Sequence, residues 1–63
     1  MNITINENLR LELRPGADED WGVVSIVPTR FGGDATNLVF WSKSENEARA
    51  FIQGAQMMNN LNL

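Results

Sequence analysis

The hydrophobic period of this chain changes once, and that change constrains the fold more than any other feature. Up to Ser42, apolar residues alternate or run together in β-branched and aromatic blocks; from Ser44 onward they recur at helical spacing. Ile3 and Ile5 alternate with Asn2 and Thr4, and Leu9, Leu11 and Leu13 alternate with Arg10, Glu12 and Arg14. Alternation of this kind fits strands with one face on a core and one in water. Asn6-Glu7-Asn8 lies between them, and its short polar side chains compete for local backbone groups as turn residues do. The two pieces form either a hairpin or one long bulged strand. Pro15-Gly16 stops the second piece, because proline lacks a donor and glycine opens positive φ. Trp21 to Val27 is the strongest strand signal, rich in Val and Ile, and Pro28 ends it. Phe31-Gly32-Gly33-Asp34 supplies a turn, and Thr36 to Ser42 a further strand.

Ser44-Glu45-Asn46-Glu47 then has the layout of a capping box, with the Ser44 hydroxyl reaching the Glu47 amide and the Glu47 carboxylate reaching back. Glu45 and Glu47 also suit the positive end of a helix dipole. Ala48, Phe51, Ile52, Ala55 and Met58 form one apolar stripe, while Arg49, Gln53, Gln56 and Asn60 fall on the wet side. Gly54 costs about 1 kcal/mol against alanine in mid-helix, which suggests close approach to the sheet. Asn59 and Asn60 are weak helix formers where fraying is expected. The spacing therefore predicts an α+β fold: a three- to four-stranded antiparallel β-meander packed against one C-terminal amphipathic α-helix, with residues 1–63 forming a single domain.

Size makes the stability problem acute. A chain of 63 residues buries only about 60% of its unfolded surface. Small domains usually compensate with disulfides, metal or oligomerisation. With no cysteine and no histidine, disulfides are excluded and a zinc site would need carboxylates alone. A tight core or self-association, including a homodimer, remains. No segment has the pattern of a signal peptide or approaches the roughly 20 apolar residues of a membrane span, so the expected compartment is the cytoplasm and no membrane partner is expected. Asn2-Ile3-Thr4 matches a glycosylation triplet without that secretory context.

The two central strands are apolar on both faces. Trp21, Val23 and Val27 alternate with Val24 and Ile26, and Leu38 and Phe40 alternate with Val39 and Trp41. One helix covers one sheet face, so a partner, a second copy or the chain's own N-terminal segment and loops should shield the other. Exposed aromatics rimmed by charge are typical of interaction sites.

Chemistry-bearing constellations are scarce. Nucleophilic catalysis usually takes histidine as its base, and there is none. Ser25, Ser42 and Ser44 read as strand or cap residues, and paired carboxylates need a cleft that so short a chain can hardly enclose. Asp18-Glu19-Asp20 invites a calcium reading, yet counting from Asp18 puts Gly22 at the fifth position and Thr29 at the twelfth, where an EF-hand needs oxygen ligands and a glutamate. Gly32-Gly33 is turn chemistry, with no Lys-Ser/Thr behind it to make a phosphate loop. Neither an enzyme nor a cofactor or metal site is expected. Five basic against eight acidic residues give a net charge of −3, a poor footprint for nucleic acid.

The run from Trp41 to Phe51 resembles the last strand and helix start of three-stranded-sheet DNA-binding modules, such as those of plant transcription factors and the arm-binding domains of phage integrases. That likeness, over residues 21–56, implies DNA reading by arginines and aromatics on the open sheet face. The corresponding strands here offer Val, Ile, Leu and Phe instead. In size, acidity, the Asp18-Glu19-Asp20 cluster and the absence of catalytic residues, the chain is similar to small acidic accessory proteins of phages and mobile elements of the anti-CRISPR inhibitor type. This resemblance implies a non-enzymatic inhibitor or adaptor whose carboxylates compete with phosphates for a basic groove of a partner protein. The residues expected to meet that partner are Glu12, Asp18, Glu19, Asp20, Trp21, Asp34 and Trp41. A sheet-face nucleic-acid binder using Arg10, Arg14, Arg30 and Lys43, and a structural homo-oligomer, are the alternatives.

Overall fold

The computed structural model describes residues 2–61, with burial and side-chain contacts described for residues 2–59. Four strands, β1 (Asn2–Asn6), β2 (Leu9–Pro15), β3 (Trp21–Pro28) and β4 (Asp34–Ser42), precede one helix, α1 (Glu45–Leu61). The sheet has the order β1-β2-β3-β4 with every pair antiparallel, so each strand lies beside its neighbour in sequence. The expected meander with a C-terminal helix is the fold.

The N-terminal segment resolves as a hairpin. Asn6 pairs with Leu9, and the Asn8 amide donates to Asn6 Oδ1 at 2.8 Å, closing an Asx turn. The ladder is irregular between Thr4 and Asn6, leaving Ile5 without a register partner. Its carbonyl instead accepts a 2.9 Å hydrogen bond from Asn59 Nδ2 of the helix.

Helix α1 covers one face of the sheet. Ala48 and Ile52 are fully buried against Leu11, Leu13 and Val23, with Ile3, Ile5, Leu9, Trp21, Phe40, Phe51 and Ala55 packed around them. The Phe40 and Phe51 rings stack with centroids 4.7 Å apart and planes 10° apart, joining β4 to the helix. The Cα envelope measures 34 × 30 × 15 Å, which leaves room for one sheet and one helix and no third layer.

The capping box forms in modified shape. The Glu47 amide donates to Ser44 Oγ at 3.3 Å as expected, but the Glu47 carboxylate does not return to the cap residue. It accepts from Ser42 Oγ at 2.5 Å, and Ser42 Oγ accepts from the Ser44 amide at 3.0 Å. Ser42 is the one buried polar side chain among the described residues, and this closed cycle satisfies it.

Three helix expectations need correction. Met58 is 65% exposed, because the stripe drifts from Ile52 and Ala55 onto Asn59 rather than Met58. Asn59 is tied to β1 and the helix continues to Leu61, so the asparagines do not end it. Gly54 is exposed, with nothing within 4 Å of the position a Cβ would take, so close approach to the sheet does not explain it. The Asn60 side chain lies outside the described residues.

Candidate partner-binding face

A bulge decides which residues the open face presents. Val23 pairs with Phe40, whereas Val24 pairs with Leu38, so Val39 is an extra residue in β4. Simple alternation would place Leu38 with Phe40 and Val39 with Trp41. The bulge instead leaves Phe40 with the helix-side core and puts Leu38 and Trp41 together on the open side, opposite Val24 and Gly22. Gly22 makes that possible: a Cβ there would lie 3.0 Å from Leu38 Cδ1, so the leucine leans across the glycine toward Trp41.

The apolar surplus of the open face is resolved unevenly. Val24 and Ile26 are 9% and 6% exposed although no layer covers them. Ile26 sits between Arg10 and Thr36, and Arg10 reaches over β3 to Asp34 with Nη2 3.2 Å from Oδ2. Val24 is flanked by Glu12 and Leu38 in the same way. Long side chains laid along a sheet can shelter its centre without a second layer. The uncovered apolar area is therefore concentrated on β4, where Leu38 is 65%, Val39 44% and Trp41 52% exposed. Phe31, at the tip of the β3–β4 hairpin, is 96% exposed. That tip is held by the Thr29 amide and hydroxyl, each donating to the Gly33 carbonyl at 2.9 Å, and by Gly32 at φ 75°.

The acidic loop joins this surface through one contact. Trp41 Nε1 donates to Asp20 Oδ2 at 2.6 Å, fixing the indole beside the carboxylate. The loop is pinned by the Gly16 amide donating to the Asp20 carbonyl at 2.8 Å, and a Cβ on Gly16 would collide with Asp20 Oδ1 at 1.7 Å. Glu19 adopts φ 58°, the left-handed conformation that a turn demands and that a residue with a Cβ adopts at a cost. Among the described residues, Asp18 and Glu19 make no side-chain hydrogen bond or ion pair and stand free to a partner.

Glu12 lies on the open face and is engaged by Arg14, with Nε 3.1 Å from Oε1 and Nη2 3.3 Å from Oε2. Those hydrogen bonds hold the Glu12 carboxyl below its ordinary pKa and push the Arg14 guanidinium up. Of the seven residues expected to meet a partner, Asp18, Glu19, Asp20 and Trp41 converge at one end of the sheet. Glu12 stands on the open face near them, and Asp34 lies at the far end, paired with Arg10. Trp21 does not belong here: it is half-buried against the helix-side core, leaving Trp41 as the exposed indole. The sequence marks Phe31 only as part of a turn, and Leu38 and Val39 only as part of an apolar surplus, not as partner residues. An aromatic inside a Gly-Gly turn was the available signal for the first; the β4 bulge, which leaves no sequence mark, hid the other two.

Among the described residues no cavity opens and no three acidic side chains gather closely enough to hold a metal ion. No helix there is long and apolar enough to cross a membrane. No protein-family model, curated protein or solved structure matches the chain.

Proposed function

We propose that this chain is a non-enzymatic protein-binding module, a small inhibitor or adaptor that engages a basic surface of a partner protein in the cytoplasm. The observation that carries the proposal is the Trp41–Asp20 hydrogen bond, which joins an exposed aromatic and Leu38 to a loop with two free carboxylates. Aromatic anchors bordered by charge suit a protein partner: the ring supplies buried area and the carboxylates supply orientation and on-rate. Carboxylates on a rigid loop also present oxygens to Lys and Arg much as phosphates do, so the module would compete with nucleic acid for a basic groove, in the manner of anti-CRISPR inhibitors. The face is ill suited to binding nucleic acid itself, because Arg10 and Arg14 are each already paired with a carboxylate.

Affinity capture from native host extract, followed by mass spectrometry, tests this reading against two variants. Wild-type protein should retain a partner at low salt and release it as salt rises. The Asp18→Lys/Glu19→Lys variant and Trp41→Ala should each lose the same partner while keeping the wild-type circular dichroism spectrum. A partner that survives both changes, or a duplex-DNA gel shift at low salt, would overturn the proposal.

A further inference from the structure

We infer that β4 is also a self-association edge, on which a second copy of this chain pairs its own β4 antiparallel to continue the sheet. β4 is nine residues long and forms the outer strand of the sheet. An edge strand presents unpaired N–H and C=O groups, and monomeric proteins blunt such edges with charge, proline or short length. From Ala35 to Ser42 this strand has neither a charge nor a proline, and its Leu38, Val39 and Trp41 are exposed. Among the described residues, the bulge at Val39 is the one protective device between Ala35 and Ser42. That bulge interrupts the ladder at one residue and leaves Asp34–Leu38 and Phe40–Ser42 regular, so two copies with their bulges at the two-fold axis can pair the first stretch of each with the second of the other.

Charge selects the occupant and its direction. Asp34 opens β4 and Lys43 directly follows it, so the strand is acidic at its start and basic at its end. Two-fold antiparallel pairing sets each Asp34 beside the partner copy's Lys43, at both ends of the joint. Parallel pairing would set like against like. Lys43 makes no ion pair or side-chain hydrogen bond among the described residues and is free to serve, and Asp34, which holds Arg10 through Oδ2, keeps Oδ1 for the partner copy's Lys43. An isologous joint of this kind closes at two chains and consumes both open edges. The opposite edges, the two β1 strands, would then bound an eight-stranded sheet with helices on one face. The edge shares Leu38 and Trp41 with the partner face proposed above, while the acidic loop itself lies at the β2–β3 connection, so chain mass in the absence of any partner tests the edge and partner capture tests the face.

Sedimentation equilibrium across the micromolar range tests it. Wild-type protein should reach twice the chain mass, and Leu38→Lys should remain monomeric with an unchanged circular dichroism spectrum. Asp34→Lys alone should weaken the dimer about tenfold by placing two like-charge contacts in the joint, and Asp34→Lys with Lys43→Asp should restore it. A wild-type monomer throughout the range would overturn the inference. So would a dimer indifferent to Leu38→Lys, or one that the charge swap fails to rescue.

Discussion

β1 and β4 both border the sheet, yet the chain treats their unpaired backbone in opposite ways. β1 has five residues, Asn2–Asn6, with polar side chains at alternate positions, and its irregular step at Ile5 hands one carbonyl to Asn59 of the helix. β4 has nine, carries its exposed aliphatics and indole outside the core, and meets the helix from its inner face through Phe40 and, at its end, through the Ser42 hydroxyl on Glu47. One edge is short, polar and tied down from above, and the other is long, apolar and open. A fold that protects one edge and leaves the other available distinguishes a surface kept out of use from one offered for use. The acidic loop and Trp41 lie toward the open side, so charge and apolar area are concentrated in the same half of the sheet.

The largest effect on this contrast should come from Phe40→Ala, which removes the ring that anchors β4 under the helix. Loss of a packed phenylalanine commonly costs about 3–5 kcal/mol, and the half-buried position should place this change toward the lower end. For a domain whose whole stability is of order 5 kcal/mol, urea unfolding should show a midpoint reduced by half or more. Hydrogen exchange at β4 should accelerate beyond that at β1. Equal acceleration of both edges would mean that the sheet opens as one unit and that the anchoring role assigned to Phe40 is wrong.

Asn59→Ala probes the other edge. It removes the donor to the Ile5 carbonyl, a hydrogen bond of about 0.5–1.5 kcal/mol net. The expected signature is local: faster exchange of the β1 amides with β4 unchanged, and a small drop in the urea midpoint. Asn59→Asp should be no milder, since a carboxylate offers the carbonyl an acceptor rather than a donor. Unchanged β1 exchange in both variants would show that Ile3 and Ile5 packing alone secures that edge.

The contrast was only partly legible in the sequence, and the reasons are physical. The change of period at Ser42–Ser44, the Pro15-Gly16 and Pro28 stops and the Ser44 cap each depend on local chemistry, so residue identity suffices to read them. In Leu38-Val39-Phe40-Trp41 all four residues are apolar, so either parity satisfies the pattern and only the pairing of β3 with β4 reveals the extra residue. Met58 satisfied the helical rule as well as Asn59 does, and the tilt that favours Asn59 is set by where β1 lies. The carboxylate of Glu47 was expected at the cap, but the buried Ser42 hydroxyl, brought close by the end of β4, is the acceptor's actual partner. The acidic loop was legible as a cluster; its attachment to Trp41 needed a contact between residues 21 positions apart.

Acid should produce the smallest change, and it should act on the open face rather than on either edge. The Arg14 hydrogen bonds hold the folded-state pKa of Glu12 below its ordinary value. A depressed carboxylate contributes stability that is present above its unfolded pKa and fades as pH falls through the folded value. Wild-type stability should therefore decline on the acid side of the carboxylate range, and Glu12→Gln should remove the part of that decline due to this pair. Because the pair is exposed to solvent, the difference between the two proteins should be small and should shrink further with added salt. Glu12 also borders Val24, so neutral glutamine keeps the shelter over the sheet centre while discarding the charge. If Glu12→Gln instead declined toward acid as steeply as the wild type, the Arg14 pair would contribute nothing to the acid response.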